Sequence, residues 1–169
     1  MIPSSRSASS SLSLRVAQWV DADLDESLDE TLRYRSSRVF AVHETTVGFT
    51  RELVDCDADP YALITRLPPT VDFDVACLVM TGWMTPLESD DDEDEDADDD
   101  VDDERHRWRV RLTAAVSDEG VAVVVRRWDG GEWSDSFADG GEGAFPDALR
   151  AWWSTIEEFR KSREDRSRR

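Results

Sequence analysis

The chain has 169 residues, enough for one domain that buries roughly 70% of its unfolded surface. It carries a formal charge of −19, with 35% charged and 39% hydrophobic residues. No apolar run approaches the roughly 18 residues of a membrane-crossing helix, and the Ser-rich start lacks a signal-peptide core, so a cytoplasmic protein is expected. Two cysteines, Cys56 and Cys77, are too few for a disulfide framework and lack zinc-site spacing.

The charge is local. Between Glu88 and Glu104 there are 14 acids and no base in 17 residues; without them the chain has 25 acids against 20 bases, or −5. Lys161 is the only lysine among the bases. The arginine bias, with abundant Asp and Ala, points to a GC-rich coding sequence. Salt adaptation would instead spread acids over the whole surface.

In chain order, Met1–Ser11 is Ser-rich and expected to be disordered. From Leu12 the apolar residues Val16, Trp19, Val20, Leu24, Leu28 and Leu32 recur at helical spacing. They predict one helix, or two broken near Asp21-Ala22-Asp23, ending by Arg35. Arg38–His43 reads as a strand, hairpinned through Glu44-Thr45 to Thr46–Phe49. Asp59-Pro60 starts a short helix over Tyr61–Leu67, with Asp59 as N-cap, and Pro68-Pro69 stops it. Val75–Met80 is apolar without alternation, as in a strand covered on both faces, with Cys77 as a small buried hydrophobe.

After the acidic run, Trp108, Val110, Leu112, Ala114 and Val116 alternate with Arg107, Arg109, Arg111 and Thr113. That period of two predicts a half-buried strand, returning through Ser117-Asp118-Glu119-Gly120 into Val121–Val125. A three-residue loop would add Arg127 to the row of Arg107, Arg109 and Arg111; a two-residue loop would add Arg126 instead. Asp129-Gly130-Gly131 turns into a strand at Glu132–Phe137. Pro146 opens a helix bearing Leu149, Trp152, Trp153, Ile156 and Phe159. Residues 160–169 form a basic tail expected to be disordered.

These elements define an α+β fold: a mainly antiparallel sheet, a meander of three to five strands, packed by an N-terminal and a C-terminal amphipathic helix. The expected organisation is a disordered start at 1–11, one domain over 12–159 with a disordered acidic insert at 88–104, and the tail.

Residues that could carry chemistry are few. Asp21-Ala22-Asp23-Leu24-Asp25 and Asp55-Cys56-Asp57-Ala58-Asp59 place acids at alternate positions, as in a calcium loop. Glu26 and Pro60, however, stand where glycine makes the sharp turn, and Leu32 and Arg66 where the bidentate glutamate belongs. His43 and His106 have no marked nucleophile beside them. Gly140-Gly141-Glu142-Gly143 lacks the Walker lysine and reads as a turn. No catalytic residue, metal ligand or cofactor is therefore assigned.

The acidic run is the distinctive feature. Fourteen charges over 17 extended residues give about one per 4 Å, close to the roughly 3.4 Å phosphate spacing of a single strand. It reads as a tolerated insert, a cover for the arginine face of its own molecule, or a nucleic-acid mimic for a basic partner. The candidate interaction residues are Asp90, Asp91, Asp92, Glu93, Asp94, Glu95 and Asp96, with Arg107, Arg109 and Arg111. A basic protein is the expected partner, nucleic acid is disfavoured, no membrane is involved, and the oligomeric state is open. The function expected is a non-enzymatic interaction or regulatory module with an exposed acidic loop. The alternative is a hydrolase or transferase whose carboxylates meet only in space.

Thr81-Gly82-Trp83-Met84-Thr85-Pro86-Leu87, the acidic break, Arg107-Trp108-Arg109-Val110-Arg111-Leu112 and Glu119-Gly120-Val121 together resemble an uncharacterised family of small proteins from high-GC bacteria. There a Gly-Trp-x-x-Pro-Leu strand end leads through a variable insert into an Arg-x-Arg-Val strand. Met84-Thr85 departs from the small residues of that pattern. The resemblance implies the strand–insert–hairpin order and carries no activity.

Overall fold

The computed structural model describes residues 10–27, 36–84, 108–129 and 132–168. A helix, α1 (Leu12–Ser27), precedes the hairpin β1 (Ser37–Thr45) and β2 (Gly48–Asp57). A short helix α2 (Pro60–Ile64) leads to β3 (Val75–Met84), and β4 (Trp108–Ser117), β5 (Gly120–Asp129) and β6 (Glu132–Asp139) follow before α3 (Ala144–Ser167). All pairings are antiparallel, in the order β2-β1-β3-β4-β5-β6. The fold is α+β, and its sheet has six strands, more than the three to five expected.

Each face of the sheet carries a core. On one, Val16, Ala17, Val20 and Leu24 of α1 pack on Phe40, Val42, Val75, Cys77, Ala115 and Val124. On the other, Leu63 and Ile64 of α2 and Leu149, Trp152, Trp153 and Ile156 of α3 pack on Val39, Ala41, Leu78, Ala114, Val116 and Val121. The central strands therefore need apolar or neutralised residues at every position. β3 meets this with Val75–Met80, as its sequence predicts. The Arg/Thr side of β4, expected to face solvent, instead lies under α1: Arg111, Thr113 and Ala115 are all buried.

Local chemistry sets the ends. Ser11 caps α1, its Oγ accepting from the Leu14 N–H at 3.1 Å, so the last residue of the stretch read as disordered belongs to the helix start. Asp59 caps α2 as expected, accepting from the Tyr61 N–H at 2.9 Å. Gly48 and Gly120, at φ of 142° and 112°, supply backbone that side-chain-bearing residues rarely adopt at the β1–β2 and β4–β5 turns. Ser117 pairs with Gly120, which settles the β4–β5 loop as two residues and brings Arg126 opposite Arg111.

α1 runs unbroken through Asp21-Ala22-Asp23. α3 begins before Pro146 and continues through Ser167, so most of the stretch expected as a disordered tail is helix. Its last turns contain no Gly or Pro, and Glu157/Lys161 and Glu164/Arg168 stand at the favourable i, i+4 spacing. The acidic run, Arg107 and residues 1–9 and 28–35 lie outside the described residues.

Candidate functional site

Three polar constellations stand out, and the first is internal. Asp21 sits on the sheet-facing side of α1, its side chain 2% exposed. Its Oδ1 accepts from Arg111 Nε at 2.7 Å and from the Thr113 hydroxyl at 3.1 Å. Its Oδ2 meets Arg126 Nη2 at 2.9 Å, and Arg111 Nη2 also donates to the Asp21 carbonyl at 3.0 Å. Both carboxylate oxygens are thus occupied by β4 and β5. The cluster ties the middle of α1 to two strands and has the chemistry of a clamp. At the other end of α1, the Ser13 hydroxyl meets the Ser117 hydroxyl and the Gly120 carbonyl, both at 2.7 Å.

The second constellation is the connection between β3 and β4. Their pairing runs to Met84 opposite Trp108, so residues 85–107 leave and return at adjacent backbone positions. The predicted site residues divide accordingly. Asp90–Asp96 and Arg107 fall in the connection, outside the described residues. Arg109 is exposed one step inside the sheet, opposite Trp83 and Trp128. Arg111 is locked to Asp21 and does not share Arg109's exposure.

The third lies at the far end of the strands. A groove of about 420 Å³ separates Val71–Asp72, ahead of β3, from Arg160, Arg163, Glu164 and Ser167 on α3 and Arg168 at its C-cap. Arg160 is fixed there: its guanidinium carbon lies 5.0 Å from the Phe73 ring centroid and 4.9 Å from that of Trp153. Nε donates to the Val71 carbonyl at 2.5 Å and Nη2 to the Phe73 carbonyl at 2.6 Å. Stacking and two backbone acceptors hold the cation in place at little further entropic cost. Beyond it, residues 161–167 of α3 and Arg168 at its C-cap are exposed throughout.

Other titratable groups serve packing. Arg66 bridges Asp55 (2.8 Å) and Asp57 (3.0 Å), so the acids spaced as in a calcium loop hold an arginine. The Arg66 hydrogen bond holds Asp55 below its ordinary value, whereas the Asp59 N–H and then Arg66 lower Asp57. At the α3–hairpin contact, Glu157 is pushed up, first by a hydrogen bond to Asp118 and then by burial. Asp118 also accepts from the Trp153 indole at 3.0 Å. Burial pushes the Cys77 thiol up, while Cys56 is exposed on β2. Among the described residues, no three His, Cys, Asp or Glu gather as a metal-holding set, and no helix is long and apolar enough to cross a membrane.

Sequence reasoning missed Asp21 and the α3 groove. The signal for the first was present: Asp21 lies within the stripe Ala17, Val20, Leu24, where an acid needs a buried partner. The second depends on Phe73 and Trp153 meeting across 80 positions of chain, which no local pattern reports. No family model matches the chain, and neither the curated proteins nor the solved structures contain a match.

Proposed function

We propose that the chain is a cytoplasmic interaction or regulatory module that presents its acidic connection, residues 88–104, to a basic protein partner. One observation carries the reading: Met84 and Trp108 are directly paired, so the sheet closes beneath the connection. An insertion anchored this way can vary in length and charge at small cost to the body, since each doubling of a loop adds only about 0.6 kcal/mol. The spacing of its carboxylates, about one per 4 Å, suits a cationic surface and repels phosphate.

An oligolysine peptide titrated against the full chain at low salt tests this. Binding should weaken steeply with added salt and disappear when residues 90–103 are deleted. Equal binding by the deletion variant would remove the connection from the function.

A further inference from the structure

We infer that the groove and projecting end of α3 form a docking site for residues 88–104 of a second copy of this chain, giving salt-sensitive head-to-tail association. The inference rests on the acidic connection being an interaction element and names its partner.

Three features of the molecule converge. The end of α3 is basic: from Arg160 to Arg168 there are five bases, Arg160, Lys161, Arg163, Arg166 and Arg168, against Glu164 and Asp165. The last eight of those nine residues are exposed, so their charges face outward rather than into the body. Arg160 is different. It lies over the adjoining Phe73 and Trp153 rings and is held by two backbone carbonyls, and it forms part of the wall of the groove. The exposed arginines Arg163 and Arg168 beside it suit successive carboxylates, and Arg160 adds a positionally fixed positive charge to the wall. A groove of about 420 Å³ admits side chains of Asp and Glu size.

The geometry favours a second copy over the chain's own segment. The groove is walled by Val71 and Asp72, just before β3 begins, whereas the acidic connection leaves from the last residue of β3. Ten strand residues separate them, about 30 Å at the usual rise. The connection returns to Trp108, beside its point of departure. Folding back within one molecule would therefore bring only its middle to the groove, while a neighbouring molecule can present any part of the run; the basic end of α3 spans about 13 Å, which about four extended residues fill. The connection departs from one end of β3 and the groove lies at the other, so each copy can engage two different neighbours and the contact can propagate head to tail.

The net charge of −19 on every copy opposes approach. That long-range repulsion is screened beyond a Debye length of about 8 Å at physiological salt, while contacts inside the groove survive. Association should thus peak at intermediate ionic strength and fall at both extremes.

Sedimentation equilibrium on the full chain tests this. At intermediate salt the average mass should rise with concentration from 19.2 kDa to at least twice that, and return to 19.2 kDa at high salt. The double variant Arg163→Glu/Arg168→Glu and the 90–103 deletion should each stay monomeric, with melting curves that show them folded. Mixed together they should form a one-to-one pair, because each retains the half that the other lacks. A wild type that is monomeric at every concentration and salt overturns the proposal, as does association that survives the α3 reversals, or a mixture that stays monomeric. If oligolysine still binds a strictly monomeric chain, only this inference falls. If it does not bind either, the proposed function falls as well.

Discussion

Two groups of arginines in this chain do opposite work. Arg111 and Arg126 lie between the sheet and α1, both engaged by Asp21, with 4% and 13% of their side chains exposed. Arg163 and Arg166, with Arg168 at the C-cap, lie on the part of α3 that extends past its last buried residue, Ile156. The first group is tied to the fold through Asp21. The second keeps its charge available. Charge in the sequence therefore does not by itself mark an open surface; what each charge already holds does.

The sharpest way to break this contrast is Asp21→Ala. It leaves two guanidinium groups under α1 without their shared acceptor and should cost about 3–5 kcal/mol, read from denaturant unfolding. Replacing Thr113 by Val removes one donor to Asp21 and should cost about 1 kcal/mol by the same measurement. Deleting residues 90–103 shortens the 23-residue connection between Met84 and Trp108 to nine. Stability should stay level or rise by less than about 1 kcal/mol, from loop closure together with relief of carboxylate repulsion. A melting temperature lowered by several degrees would instead mean that the run supports the body. Arg163→Glu/Arg168→Glu should shift stability by less than about 0.5 kcal/mol while altering association.

The smallest effect concerns pH. Glu157 has a raised folded-state value, so its contribution is fully present below the ordinary glutamate value of 4.5 and is lost as pH rises through the folded value. Glu157→Gln should therefore raise the melting temperature at neutral pH and flatten its dependence over that window. Asp55 and Asp57 act in the opposite sense. Their contribution holds above the ordinary value of 3.8 and is lost as pH falls through their lowered values. Arg66→Ala should remove most of the Asp55 share of that acid-side loss in melting temperature and leave the Asp57 share that rests on the Asp59 N–H.

Much of the body was legible in the sequence because two periods are written plainly into it. The alternation of β4, the unbroken apolar run of β3 and the Leu149–Ile156 stripe each imply one backbone geometry. The Asp59 cap is legible for the same local reason. What could not be read was the covering of β4's polar side. Arginine and threonine at alternate positions describe a solvated face until a helix elsewhere supplies an acid, and that acid lies 90 positions away. The extension of α3 was hidden differently. Its charged last turns bury nothing, so no apolar stripe marks them, and helix-forming residues at i, i+4 spacing leave only a faint trace. Arg160 reads as a tail residue until Phe73 and Val71 are brought beneath it.

The two thiols divide the sheet by reactivity. Cys56, exposed on the outermost strand, will meet a maleimide or an oxidant at once. Cys77, wholly buried in the third strand with its ionisation suppressed, will meet one only when the layers part. The native chain therefore carries a built-in clock: the delay before its second cysteine labels times the opening of its centre, with no engineered probe.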